Sequence, residues 1–301
     1  MHASSRMRVK NQPLILVLVI AVVAIAAAVG LSFLFSTDQP EPVPAKGTVV
    51  SLSPPITETL FEIGAGDQVI GRSDYGFFPP QVEKLPKCGT ALFPNSESIV
   101  RLGPGLIIAD ESRGTPRDEI GALGNAAFLP WLSAEDIISS TRKLGELTGH
   151  IEEANKLADD LADALYRDAP ENAPRVLLVM TPTPGKVVPI TFFRRNSIHG
   201  QMLEAAGGKN AADYDETGVP EMSAERAIEL DPDIIIVIDM HDELPDGRRA
   251  QILADWQTLK PLTAVKQSRV GVLHGEHFYG AGRRLLRAII ELRAEIERLK
   301  P

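Results

Sequence analysis

The chain has 301 residues, 44% of them hydrophobic and 24% charged, enough to build two globular units of ordinary size. A net charge of −9 with 5% aromatic residues excludes a nucleic-acid-binding surface, which needs a basic stripe to replace counterions along phosphates. The one cysteine, Cys88, has no second thiol with which to form an internal disulfide or a metal or redox motif, and reads as a small buried apolar residue.

Residues 1–12 form a basic tail carrying Arg6, Arg8 and Lys10. Pro13 to Phe35 then runs 23 residues without a charge. At about 1.5 Å per residue such a helix covers the roughly 30 Å of a bilayer core, so the run is predicted to be an uncleaved transmembrane anchor. The basic flank stays cytoplasmic, and everything beyond lies on the extracytoplasmic face. No cysteine follows the run directly, so the sequence offers no lipid-attachment site there. The acidic, proline-rich residues 36–46 are predicted to be a stiff tether.

From Gly47 onward, short apolar β-branched runs alternate with helical periods: TVVSLS, DQVIGRS and GLIIAD, then RVLLVM, DIIIVID and RVGVLHG. This pattern predicts α/β architecture with largely parallel sheets. The runs fall into two groups, an N-terminal lobe over residues 47–132 and a C-terminal lobe over 170–301. Between them, Ser133 to Ala169 places Ile137, Leu144, Leu147, Ile151, Ala154, Leu157, Leu161 and Leu165 at helical spacings. Ser133 and Asp136 supply a capping start. The spacing predicts a single long helix joining the lobes.

The two lobes echo each other. The plan of SESIVRLGPGLII, Ser96 to Ile108, returns in SAERAIELDPDII, Ser223 to Ile235, with Glu97 matching Glu225 and Pro104 matching Pro232, each pair 128 residues apart. A looser pair, LFEIGAG from Leu60 and MLEAAGG from Met202, is offset by 142, so one lobe carries 14 extra residues between these units. The pattern predicts two copies of one α/β unit with a cleft between them.

Ligands of open α/β sheets sit beyond the carboxyl ends of the strands, which directs attention to the residues just after each apolar run. After the first come Pro54, Thr57 and Glu58 at a helix start. Tyr75, Phe77 and Phe78 follow the second and offer flat surfaces. Glu111 and Arg113 follow the third. In the C-terminal lobe Phe192, Phe193, Arg194 and Arg195 pair aromatic rings with guanidinium donors. His241 follows DIIIVID, while His274, Glu276, His277 and Tyr279 follow RVGVL. His241, His274, Glu276 and His277 are donors of the kind zinc takes, yet without an HExxH motif; contact with a bound chelate is the reading preferred here, and no resident metal or cofactor is assigned. The chain lacks a GxSxG elbow, a phosphate-cradling GxxxxGK[ST] loop and a GxGxxG turn after its first strand, so no enzymatic activity is assigned.

VVSLSPPITETLFEIGAGDQVIGRSDYGFFPPQVEKLPKCGT with NSESIVRLGPGLIIAD, and then RRNSIHGQMLEAAGGKN through DPDIIIVI, resemble the two lobes of the periplasmic binding proteins for cobalamin and iron chelates that serve ABC importers. SLSPPITE, the aspartate-tyrosine before the prolines and NSIHGQMLEAAGGKN are nearest the cobalamin-binding members. The resemblance implies two α/β sandwich lobes joined by one backbone helix. It also implies a monomeric receptor that delivers cobalamin or a related chelate to a permease dimer with its ATPase. Glu97 and Glu225 fall where such receptors pair with permease arginines. A ferric siderophore or haem receptor is the alternative, with Tyr75, Tyr279 or a cleft histidine as the iron ligand; a metal-ion receptor or a hydrolase using His274, Glu276 and His277 is a further one. The transmembrane tether departs from the resemblance, since relatives are usually released or lipid-anchored.

Overall fold

A computed structural model describes residues 45–181, 183–212, 220–280 and 282–300. The basic tail, the apolar run and the tether up to residue 44 lie outside the described residues; among those described, no helix is long and apolar enough to cross a membrane. The first strand begins two residues inside the expected tether.

The N-terminal half contains β1 (Ala45–Ser51), α1 (Pro54–Glu62), β2 (Val69–Gly71), α2 (Ser96–Leu102), β3 (Pro104–Asp110), α3 (Arg117–Ala122) and β4 (Ala126–Leu129). Two helices follow, α4 (Ala134–Thr148) and α5 (Ile151–Leu165). The C-terminal half contains β5 (Arg175–Met180), β6 (Ile190–Thr191), α6 (Ile198–Ala205), β7 (Lys209–Asn210), β8 (Glu221–Met222), α7 (Ala224–Leu230), β9 (Ile234–Asp239), α8 (Arg248–Trp256), α9 (Thr263–Lys266), β10 (Val270–His274) and α10 (Arg283–Leu299).

Each half builds a four-stranded parallel sheet, ordered β2-β1-β3-β4 and β7-β5-β9-β10. The two orders are the same when β1, β2, β3 and β4 are set against β5, β7, β9 and β10. The repeated stretch is the α2–β3 unit in one half and α7–β9 in the other. A side chain accepts the first-turn amide in both, Asn95 from Ser98 and Ser223 from Arg226, and both helices end on a left-handed residue, Gly103 or Asp231.

Strand alternation divides the core into three. Val49, Leu106 and Ile108 of one sheet and Val176, Leu178, Ile234, Ile236 and Ile238 of the other face a single shared core. The alternate residues Val50, Ile107 and Ala109 face an outer core in the first half, and Leu177, Val179, Ile235 and Val237 face one in the second. The shared core is filled by α1, α4, α5, α6 and α10, with Leu60, Leu144, Leu157, Leu161, Met202, Ile289 and Leu292 all essentially sealed from solvent. Strands buried on both faces explain why the sequence shows continuous β-branched runs rather than alternation.

The single linking helix expected over residues 133–169 is corrected to a pair. The capping box of Ser133 and Asp136 forms as expected, but Gly149 adopts the left-handed conformation (φ 81°) and closes α4. The chain turns at His150, and α5 packs back against α4. Arg142 in the middle of α4 reaches Asn155 (3.0 Å) and Asp159 (2.7 Å) on α5. The apolar period runs on across Gly149 because both helices bury the same kind of stripe, so periodicity alone does not register the turn. β4 and the two-residue antiparallel ribbon of β6 and β8 lie outside the apolar runs of the sequence pattern.

The α4–α5 crossing is close at Gly145, where a Cβ would lie 2.4 Å from the Ala154 Cβ and 2.8 Å from the His150 carbonyl oxygen. Gly145→Ala gains about 1 kcal/mol of helix propensity but overpacks a contact that has no flexible side chain to yield, at a cost of about 1–3 kcal/mol. The expected result is a lower urea midpoint with the m-value unchanged; a raised midpoint contradicts the close crossing.

Candidate functional site

The carboxyl ends of β1, β2, β9 and β10 converge on a cleft of about 720 Å³ between the halves. Its N-terminal wall is Pro54, Pro55, Glu58, Tyr75, Gly76, Phe77 and Phe78. Met240, His241, Asp242 and Glu243 form the opposite wall with Glu276, Tyr279, Gly280 and Arg284.

The aromatic wall rests on a buried arginine. Arg72, 4% exposed at the end of β2, donates from one guanidinium nitrogen to the carbonyls of Ser73 (2.9 Å), Asp74 (3.3 Å) and Gly76 (2.9 Å). Charge-assisted bonds of this kind hold the loop so that its rings are presented rather than collapsed. Tyr75 is 70% exposed, with Phe77 at 51% and Phe78 at 40%. Three large rings standing open on one concave wall are an unusual cost unless something covers them.

The floor is an ionic junction between the halves. Arg284 pairs with the buried carboxylate of Glu58 at 3.2 Å, lies 4.0 Å from Glu276, and stacks under the Phe78 ring at 4.5 Å. Four residues along α1, both oxygens of Glu62 accept the Arg283 backbone N–H at 3.2 and 3.0 Å, at the start of α10. Burial raises the Glu62 pKa, and this amide bond opposes the rise.

On the C-terminal wall, Asp239 closes β9 and is 1% exposed. Its Oδ1 accepts the backbone N–H of His241 at 3.0 Å and lies 2.5 Å from the His241 Nδ1. Burial pushes this carboxyl upward, but the bonds from the His241 amide and ring outweigh it, and the pKa is lowered overall. The Tyr279 hydroxyl is buried without a hydrogen-bond partner, and its pKa is raised by burial and by the charge of Asp239.

Of the residues singled out in the sequence, Pro54, Glu58, Tyr75, Phe77, Phe78, His241, Glu276 and Tyr279 meet in this cleft. Thr57, Phe192, Phe193, Arg194, His274 and His277 lie elsewhere. Thr57 is fully buried, donating to the Ser53 carbonyl at 2.9 Å, because a hydroxyl in a first helical turn finds its own backbone first. Phe192 belongs to the outer core, and Phe193 stacks on His199 at 4.1 Å behind Tyr279. Arg194 is partly buried outside the cleft, its carbonyl accepting the Ser197 hydroxyl at 2.7 Å. His277 is 5% exposed, with Nε2 on Glu291 at 2.9 Å, and His274 directs Nδ1 to the Asp242 carbonyl at 3.0 Å. The four zinc-type donors therefore do not converge; among the described residues no group of three or more histidine, cysteine, aspartate or glutamate side chains is arranged to hold an ion. Arg72, Met240 and Arg284 carried no sequence signal, since each gains its role from elements distant in the chain. Glu97 and Glu225 are both exposed in the first turns of α2 and α7.

The family model described as periplasmic binding protein matches residues 49–276, most of the chain and both walls of the cleft. The chain belongs to this family. Among curated proteins it is 28% identical to a vitamin B12-binding protein of Photorhabdus laumondii, covering 81% of this chain and 86% of that one. It is also 28% identical to an uncharacterized ABC transporter substrate-binding lipoprotein, YvrC of Bacillus subtilis, over 82% and 79%. Among solved structures, the periplasmic vitamin B12-binding protein BtuF of Vibrio cholerae superposes with a TM-score of 0.66 at 22% identity, over 86% of this chain and 99% of that one. The haem-binding protein BhuT gives 0.67 at 20%, over 84% and 98%. At these identities the superpositions establish a shared fold for this periplasmic binding protein.

The ionic floor generates a stability prediction. Arg284→Met leaves the Glu58 carboxylate buried without its cation, an expected loss of about 3–5 kcal/mol, whereas adding Glu58→Gln removes the stranded charge and recovers most of it. Chemical denaturation of the single and double variants measures both; equal losses would mean that the pair contributes nothing specific.

Proposed function

We propose that this periplasmic binding protein is the receptor of an ABC importer, capturing cobalamin or a closely related metal chelate in its interlobe cleft and delivering it to a permease dimer. The observation that carries the reading is the open aromatic wall of Tyr75, Phe77 and Phe78 facing polar strand ends of the other half across a single cleft. Such a wall suits a large planar ligand, whose apolar face covers the rings while its polar edge meets the opposite side.

The relatives named for vitamin B12 support this choice, and so does charge. Among the described residues, Glu58, Asp242, Glu243 and Glu276 line the cleft against one guanidinium, that of Arg284, which is already paired with Glu58. Carboxylates on a ligand's rim would meet like charge there, whereas the carboxamide rim of cobalamin meets acceptors for its N–H groups. A haem receptor is the second reading, favoured by the likeness to haem-binding folds and by the exposed imidazole of His241 in the cleft.

Residues 13–35 are proposed to tether the receptor to the outer face of the cytoplasmic membrane, and Glu97 and Glu225 to meet arginines on the two permease subunits. Each glutamate stands at the corresponding place of a duplicated α-helix and strand, so a two-fold importer would see two equivalent contacts.

Calorimetric titration with cyanocobalamin, haemin and several ferric siderophores tests the ligand. Cobalamin is expected to bind most tightly, and Tyr75→Ala or Phe77→Ala to weaken it by about 1–3 kcal/mol. A chelate carrying several carboxylates that binds more tightly would overturn the choice of cobalamin. For docking, the pair Glu97→Ala with Glu225→Ala is expected to bind ligand normally while losing stimulation of the importer's ATPase; full stimulation would dismiss that surface.

A further inference from the structure

We infer that His241 is an axial ligand to the metal of the bound chelate, its Nε2 taking the coordination position on the face turned toward the C-terminal half. This deepens the proposed function and rests on it.

Three observations converge on the ring. The first is its placement: His241 lines the cleft just beyond β9, and its side chain is 68% exposed, so the imidazole stands out from the wall rather than in it. The second is its orientation. Nδ1 is bound to the buried Asp239 at 2.5 Å, and the His241 backbone N–H holds the same oxygen, so ring and main chain grip one carboxylate. An ionised carboxylate accepts only, so Nδ1 carries the proton and the lone pair of a neutral imidazole sits on Nε2, across the ring from the buried anchor. A histidine whose second nitrogen donates to a carboxylate is the arrangement found behind metal-bound imidazoles, where the carboxylate fixes the tautomer and raises the basicity of the ligating nitrogen.

The third is the absence of companions. Among the described residues no three donors gather around one point, and a lone imidazole does not hold a bare ion that wants three or four ligands. A single nitrogen suits a metal whose equatorial positions are already filled by a macrocycle, leaving one axial site open. The other candidates fail on geometry: the His277 nitrogen is on Glu291, His274 is turned to a carbonyl, and the Tyr279 hydroxyl is buried. Tyr75, Phe77 and Phe78 stand on the other wall. The bound chelate would therefore lie with one face on rings and its metal toward His241.

The step is a ligand exchange without redox change. The metal–oxygen bond to an axial water breaks, the Nε2 lone pair forms a metal–nitrogen bond in its place, and the water leaves.

The test uses the full-length protein in mild detergent with aquocobalamin, whose axial water exchanges, and cyanocobalamin, whose cyanide resists exchange. Wild-type protein is expected to shift the absorption bands of aquocobalamin to those of an imidazole-ligated corrin, and to bind it at least about tenfold more tightly than the cyano form. His241→Ala, an exposed substitution that leaves the core untouched, should abolish the shift and level the two affinities, with free imidazole restoring the spectrum. Asp239→Asn should keep the shift but weaken aquocobalamin about 10- to 100-fold, the usual effect of losing a supporting carboxylate. Binding of both cobalamins by wild-type protein with an unshifted spectrum, or a shift that persists in His241→Ala, would overturn the inference and leave the proposed function standing. Failure of wild-type protein to bind either cobalamin or haemin would overturn both.

Discussion

The grip of α1 on the first turn of α10 is the constraint around which the site is arranged. Glu58 and Glu62 lie four residues apart, on one face of α1, and meet the Arg284 side chain and the Arg283 amide of the opposite half. A helix amino terminus exposes unsatisfied N–H groups, and a carboxylate from elsewhere in the chain is a natural partner for them. Because the two glutamates come from the N-terminal half and the amino terminus of α10 from the other, satisfying these groups also sets the spacing of the cleft walls. The same arginine then supports the Phe78 ring, so the aromatic wall and the interlobe junction share one cation.

Behind that junction the halves are joined by more than a linker. The inner faces of both sheets, with α4, α5 and α10 between them, form one continuous core. Opening the cleft widely would expose part of that core, and at about 25 cal/mol per Å² of apolar surface such exposure is steeply unfavourable. The Ala134 amide of α4 donates to Gln201 of α6 at 2.6 Å, and Gln68 near β2 donates to the Thr148 carbonyl at the end of α4 at 2.9 Å, so the helical pair is tied to both halves. Ligand entry in such a receptor calls for small adjustments of loops and side chains rather than a hinged closure of domains.

Duplication supplies the frame and divergence the site. The two sheets share strand order, and α2–β3 and α7–β9 share caps and left-handed terminators. The walls they present are nevertheless unlike. In the N-terminal half the segment between β2 and α2 is the longer one and carries Tyr75, Phe77 and Phe78, held by Arg72. In the C-terminal half, the tips of β9 and β10 carry Asp239, His241 and Glu276. One wall is apolar and flat and the other polar.

The sequence by itself determined the alternation of buried strands and helices, the repeat, the capping box at Ser133 and Asp136, and the strand-end loops among which Tyr75, Phe77, Phe78, His241 and Tyr279 were found. All of these are local signals, set by side-chain period and by what a residue does to its own backbone. Tertiary structure decided the turn at Gly149, since a glycine inside an apolar period ends a helix only if packing rewards the reversal. Packing also decided that Phe192 and Phe193 are core while Phe77 is not, a choice between identical side chains that depends on what each ring packs against. The pairing of Glu58 with Arg284 joins residues 226 positions apart and has no trace in either neighbourhood. Its value comes from mutual burial, and burial of a charge exists only once the chain has closed around it.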